Sequence, residues 1–355
     1  MTPKTQNARI YSNTQVVFTD LSYKAFAYPG DEEALAALKA IPGASQVLTY
    51  LQENFSEELI FLHNNQQMIR ASYHSFVSLY KLLERCCEIL SLPVPELYLT
   101  TNPTLNAYTV GTRRTCIVLH SELVETMTLD ELTFVIGHEL GHIKCSHGLY
   151  RLMGDLLLRY WDILSSVVAI PGLGMLRVPL LIAYWEWFRR AELTCDRAGL
   201  LCVQDLDAGL RALSQLAGKV SGYEDEFNTD AAIKQAEAAR EIKNKLVLLV
   251  SILESARNTH PFVPMRLKRL AEFAVGEYPK ILAGNYEKDP LGLHEAGSRI
   301  TCQCGLKVNA KLCFCPECGR ELGAMEGVTA AIDETATPRE SKFGKLKGAA
   351  GFFRR

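Results

Sequence analysis

The stretch VIGHELGHIKCSHG, residues 135–148, decides the fold. It holds three histidines and one glutamate. The apolar residues Phe134, Val135, Ile136, Leu140 and Ile143 recur at near-helical spacing, which predicts a helix from Asp130 to about His147. Asp130 and Glu131 suit its acidic first turn. On such a helix His138 and His142 lie on one face, and Glu139 is turned from them by about a quarter turn. Two imidazoles at this spacing can share one zinc ion, and the carboxylate between them can act as general base on a water. The bland alternative is a helix carrying two surface histidines. Gly137 and Gly141 each cost roughly 1 kcal/mol relative to alanine, so their presence predicts close backbone packing. His147 falls about 180° around an unbroken helix from His138, which turns it away from the pair.

Catalytic zinc takes three protein ligands and keeps an open position. The extended zinc-protease motif would need a histidine at Gly148 and a glycine at Cys145, and has neither. Further along, WFRRAELTCDRAGLLCVQD, residues 187–205, also reads as a helix. Glu192 and Asp196 share one of its faces. One carboxylate can complete a His/His/Glu set, and the other can accept the free ring N–H of a ligand histidine. The alternative for this pair is a solvated acidic face opposite Arg189, Arg190 and Arg197.

Outward from these helices the chain divides into parts. Its 355 residues, 48% hydrophobic, suffice for one large domain with accessories. The expected division is an irregular arm over 1–30, a catalytic domain over 31–290, a cysteine-rich module over 298–322, and a linker with a basic tail over 323–355. Helical patterns run from Glu32 to about Leu90, and ELYLT, AYTVG and TCIVLH read as short strands between Asn-Pro and Gly turns. The fold class expected is mainly α with a small β-sheet, α+β. The net charge of −2 argues neither for nor against a charged partner, and no nucleic acid is expected. Residues 1–20 show no signal peptide. Of eleven cysteines, Cys86, Cys87, Cys116, Cys145, Cys195 and Cys202 are scattered and read as reduced and mostly buried, which implies a cytoplasmic chain. A thiol nucleophile at Cys145 or Cys195 is disfavoured, because nothing in the sequence pairs either with a base.

Four pieces, NAYTVG at 106–111, GHELGHI at 137–143, RRAELTCDRAGL at 189–200 and THPFVPMRLKRL at 259–270, stand in an order and at spacings that resemble the HtpX-like and CAAX-prenyl-endopeptidase family of zinc metallopeptidases, a gluzincin family. The resemblance covers residues 32–289 and implies a gluzincin metallopeptidase domain. It implies that Glu192 is the third zinc ligand beside His138 and His142, that Glu139 is the base, and that Asp196 sits behind the metal. It further implies that Asn106 and Ala107 lie on a strand that pairs with extended substrate. His260 matches the histidine that stabilises the oxyanion, and Arg266 matches an arginine paired with an acid near the site. The expected activity is zinc-dependent hydrolysis of peptide bonds in unfolded or extended polypeptides, in protein quality control or processing. The competing class is a catalytically weak zinc-binding scaffold with a chaperone-like role.

Residues 149–188 form an apolar block, but its uncharged run over 163–176 is shorter than the roughly twenty residues of a spanning helix, and Pro171-Gly172 interrupts it. A buried or interfacial hairpin, compatible with a lid over the site, is expected in place of a span; Trp185 and Trp187 fit either a core or a membrane interface. The cluster CQCGLKVNAKLCFCPECGR, residues 302–320, resembles a short zinc ribbon with Cys302, Cys304, Cys315 and Cys318 as ligands and Cys313 spare. It implies one structural zinc besides the catalytic one, and a protein partner for the module. The tail combines Arg339, Lys342, Lys345, Lys347, Arg354 and Arg355 with Phe343, Leu346, Phe352 and Phe353, which suits peripheral contact with the inner face of a membrane or a solvated tail.

Overall fold

The computed structural model describes residues 15–41, 44, 48, 57–111, 114–159, 173–216, 228–239, 263–289, 299–305, 307–309, 315, 320 and 322. The chain divides into two compact units, Met1–Gly323 and Ala324–Arg355, and the second lies outside the described residues. Within the first, the helices are α1 (Asp31–Lys39), α2 (Glu57–Gln67), α3 (Val77–Ile89), α4 (Ser121–Thr126), α5 (Leu129–Lys144), α6 (Gly148–Arg159), α7 (Leu173–Val203), α8 (Leu206–Leu216), α9 (Thr229–Ala239), α10 (Val263–Val275) and α11 (Tyr278–Leu282). The strands are β1 (Ile69–Arg70), β2 (Glu96–Thr100), β3 (Ala107–Val110), β4 (Cys116–His120), and a separate hairpin of β5 (Arg299–Thr301) with β6 (Lys307–Asn309). The fold is α+β.

The main sheet has the order β1-β2-β4-β3. β4 is apolar from Cys116 to Leu119, and every residue of it, His120 included, is buried. It pairs in parallel with β2, from Glu96 opposite Cys116 to Thr100 opposite His120. On its other side β3 runs antiparallel, with Ala107 opposite Leu119 and Thr109 opposite Ile117. Among the described residues β3 is therefore the edge strand of this sheet, and it packs beside α5.

Helix α5 starts one residue before the expected Asp130, because Thr128 caps it. The Thr128 side chain accepts from the Glu131 N–H, and the Glu131 carboxylate accepts from the Thr128 N–H at 2.8 Å. Its far end departs from expectation. The helix stops at Lys144 instead of reaching His147. Ser146 takes a left-handed φ of 54°, its N–H donates to Ile143 O, and the His147 N–H donates to His142 O at 2.9 Å. This is a Schellman closure with serine at the position that glycine usually fills. α6 then starts at Gly148 and packs against α7.

α5 packs most extensively against α7. The expected close approach lies here. A Cβ on Gly137 would fall 2.7 Å from Cys202 Cβ and 3.0 Å from Gly199 Cα, and one on Gly141 would fall 2.9 Å from Ala198 Cβ. Gly137→Ala gains roughly 1 kcal/mol of helix propensity but forces apart two backbones at a typical overpacking cost of about 1–3 kcal/mol. Cys202 Cβ is anchored to its backbone and cannot yield, so the clash wins. The expected result is a Tm lowered by several degrees in a thermal melt; a raised Tm would show that the helices part freely.

α7 carries Pro179 within it. No helix among the described residues is long and apolar enough to cross a membrane. Trp185 and Trp187 are buried with Leu180, Leu181, Tyr184 and Phe188 against Ala34 and Leu38 of α1 and Met153 of α6. Residues 160–172, which hold Pro171-Gly172, lie outside the described residues. In the arm, residues 15–30 are irregular, with a 3-10 turn at Tyr23–Ala25, yet Phe18, Leu21 and Phe26 are buried in the main core.

Candidate metal centre

α5 and α7 cross where their glycines permit, and this brings His138, His142 and Glu192 together. One ligand atom from each lies within 4.8 Å of the others. Glu192 Oε1 is 3.2 Å from His142 Nε2, and Glu192 Oε2 is 3.6 Å from His138 Nε2. All three side chains are buried. His142 Nε2 is buried and makes no hydrogen bond. A buried imidazole nitrogen left in this way costs free energy unless something occupies its lone pair. Two imidazoles and a carboxylate suit zinc. The donor set therefore fits the metal.

A second layer holds these candidate ligands in the form a metal would need. Asp196 Oδ1 lies 3.0 Å from His138 Nδ1, so the carboxylate accepts the Nδ1–H and leaves Nε2 as a lone pair. Arg266, reached from α10, donates to Asp196 through Nε at 2.8 Å and Nη2 at 2.6 Å, and its Nη1 is 3.1 Å from Glu192 Oε2. Burial pushes the Asp196 carboxyl up, but Arg266 and His138 outweigh it and hold it below the usual carboxylate range. Arg266 itself is fully buried; desolvation opposes its charge, and Asp196 and Glu192 more than offset it. The reading of Glu192 and Asp196 as a solvated acidic face is thus set aside. Arg189 and Arg190 pair instead with Glu186, and Arg197 with Glu277.

His147 does not point away, and the expectation that it would is corrected. The Schellman turn brings its Nδ1 to 3.1 Å from His142 Nδ1 and 3.7 Å from Cys195 Sγ, with Trp187 edge-on at 5.4 Å. Burial, reinforced by Arg151, pushes its imidazole down to about 3, so it is neutral and can accept. Burial and then Arg151 likewise hold His142 well below its ordinary value, which suits a neutral ligand. With His142 donating from Nδ1 to His147, its Nε2 is left for a metal. Cys145 and Cys195 are thiols that burial pushes well above their ordinary value, which disfavours the nucleophile reading further.

Glu139 sits between His138 and His142 on α5 and is wholly buried. Thr109, on β3, donates to Glu139 Oε2 at 2.7 Å. Oε1 makes no hydrogen bond. Thr109 thus ties the edge strand to the carboxylate, a link that nothing in the sequence pattern marks. Asn106 closes the start of β3, where its carbonyl accepts from His120 N–H at 3.1 Å, and Ala107 follows it into the strand. His260 lies outside the described residues. In the cysteine-rich module Cys302, Cys304 and Cys315 present sulfurs within 4.8 Å of one another, Cys302 and Cys315 being buried and Cys304 exposed. Cys313 and Cys318 lie outside the described residues.

The profile of Peptidase family M48 matches residues 74–274 of this chain. The chain is 31% identical to Plastoglobule-localized metallopeptidase 48, chloroplastic, of Arabidopsis thaliana, over 75% of this chain and 77% of the relative. It is 25% identical to a Protease HtpX homolog of Caldanaerobacter subterraneus over 58% of this chain and 75% of the relative. A Protease HtpX homolog of Lactobacillus helveticus is 22% identical over 42% of this chain, which spans under half, 45%, of that relative. No solved structure matches the chain.

Proposed function

The chain belongs to peptidase family M48, a family of zinc metallopeptidases, and from that premise we propose that it is an endopeptidase using His138, His142 and Glu192 as zinc ligands and Glu139 as general base. The observation that carries the reading is the convergence of three buried side chains, His138, His142 and Glu192, across the α5–α7 contact, with buried Glu139 next to His138. Zinc held there supplies Lewis-acid activation of a water and of the scissile carbonyl. Glu139 takes the proton of the attacking water and returns it to the leaving amine. Thr109 holds the base by Oε2, which leaves Oε1 to meet the water. Asp196 and Arg266 keep His138 in the metal-binding tautomer and balance the charge of Glu192. An extended, unfolded polypeptide is the substrate this site suits. β3 is an edge strand tied to the base, and Asn106 and Ala107 at its start would align the substrate backbone by strand addition. His260 is assigned the oxyanion role on its resemblance alone. The biological setting we infer is quality control or processing in the cytoplasm, with the basic, aromatic tail over 339–355 supporting contact with a membrane face.

The test is cleavage of unfolded casein by the purified chain. Cleavage that a chelator abolishes and added zinc restores supports the reading. Casein left intact by the zinc-loaded chain, with binding retained, would favour the scaffold class instead.

The module over 298–322 is proposed to hold a structural zinc through Cys302, Cys304, Cys315 and Cys318 and to present a protein-binding surface. The sulfurs of Cys302 and Cys304, in the loop of the β5–β6 hairpin, gather with that of Cys315, which supports this. Such sites need their metal to fold. Cys304→Ser should lower the zinc content from about two ions per chain to about one while peptide cleavage persists. Loss of the catalytic metal in that variant would show that the two sites are not separate.

A further inference from the structure

Arg151 is a cation beside the site that the mechanism above leaves unused. Its place follows from the Schellman turn. The Arg151 N–H donates to His147 O in the first turn of α6, so the side chain is carried back over α5. Its Nη1 lies 3.9 Å from Glu139 Oε2, beyond hydrogen-bond reach, and that oxygen already accepts from Thr109 at 2.7 Å. The side chain is only 16% exposed, and Nη1 is buried with no hydrogen-bond partner among the described residues. A guanidinium keeps its charge and its donors at any ordinary pH. Glu139 balances the charge but leaves the donor without an acceptor. Arg266, the other buried arginine here, is accounted for by Asp196 and Glu192. Nη1 is therefore a buried donor, beside the base, that an acceptor arriving with the substrate would complete.

Resting on the metallopeptidase reading, we propose that Arg151 is a catalytic residue whose Nη1 donates to the carbonyl oxygen of the scissile peptide as negative charge builds on it. When water adds, the new C–O bond forms, the carbonyl π pair moves to oxygen, and the water proton goes to Glu139. As the C–N bond breaks, the pair returns to the carbonyl and the proton passes to the amine. Arg151 exchanges no proton in either half and contributes by a preorganised charge-assisted hydrogen bond. A carbonyl oxygen is favoured over a substrate carboxylate for two reasons. Glu139 already offsets the arginine's charge, so the missing element is an acceptor, not a counter-ion. The general base must also lie beside the attacked carbon, and Nη1 is 3.9 Å from that base.

The experiment uses the full, zinc-loaded chain with Arg151→Met and Arg151→Lys. It measures kcat and KM on a casein-derived peptide, zinc content, and calorimetric affinity for a phosphinic analogue of that peptide, a tetrahedral anion. Arg151→Met should keep its zinc and its KM, lose about 10²- to 10³-fold in kcat, and lose affinity for the phosphinic peptide in proportion. Arg151→Lys should recover part of both. Retained kcat in Arg151→Met overturns the proposal. So does a lower kcat with unchanged phosphinic affinity, because the arginine would then act only by holding Glu139. If the methionine variant fails to fold, Arg151→Lys and Arg151→Gln carry the comparison, and equal phosphinic affinity in the two overturns it. A wild-type chain that binds zinc but cleaves no peptide would instead defeat the metallopeptidase reading.

Discussion

Glu139→Gln is expected to leave the zinc content of the purified chain unchanged and to lower kcat by roughly 10²- to 10⁴-fold, the usual worth of a positioned general base. The substitution is nearly isosteric in a site where Glu139 is wholly buried, so packing across α5 is undisturbed. Its amide oxygen can still accept the Thr109 hydroxyl that now reaches Oε2 at 2.7 Å. An amide cannot take the proton of water, and it also no longer offsets the charge of Arg151, whose Nη1 lies 3.9 Å from Oε2. Since Glu139 stands outside the His138, His142 and Glu192 group, metal binding has no reason to change. Metal analysis and steady-state cleavage of one peptide by wild type and variant decide the matter. Full activity in Glu139→Gln would sink the mechanism, whereas loss of zinc would mean that Glu139 is a ligand.

Glu192→Ala should lose the catalytic zinc. Two imidazoles remain, and the one anionic ligand that partly neutralises the metal is gone. The damage spreads, because Arg266 Nη1, 3.1 Å from Glu192 Oε2, loses a buried partner and is left with Asp196 alone. The loss should exceed the roughly 10- to 100-fold that removal of an outer partner costs. Asp196→Asn and His147→Ala supply that yardstick. Asp196 fixes His138, and His147 accepts from His142, so each should weaken zinc binding about 10- to 100-fold while leaving a site that saturates at higher zinc. Titration of the variants with zinc in a Cys304→Ser background separates the catalytic ion from the structural one. Zinc retained at wild-type affinity in Glu192→Ala would remove it from the ligand set.

Several features are legible in the amino-acid order alone, and each has a local cause. His138, Glu139 and His142 announce a helical metal motif because helical geometry fixes the relation of residues four apart. Glu192 and Asp196 obey the same rule on α7. The short strands ELYLT, AYTV and CIVLH show in their β-branched and aromatic content between turns. The two glycines of α5 betray a close neighbour by their cost, and α7 is that neighbour.

Other features depend on where the chain goes next. The direction of His147 rests on Ser146, a serine in a left-handed conformation where the usual signal would be glycine. One unmarked residue ends the helix early and turns a histidine expected to face away into the partner of His142. The same turn aims Arg151 at Glu139, and β3 aims Thr109 at it from thirty positions upstream. Arg266 reaches Asp196 across seventy positions. Which side chains share a helical face is written in the order of residues, because that relation is set by a repeat of a few positions. Which faces meet, and what stands behind each ligand, is settled by the folded chain alone, because those contacts arise when distant segments bury their surfaces against one another.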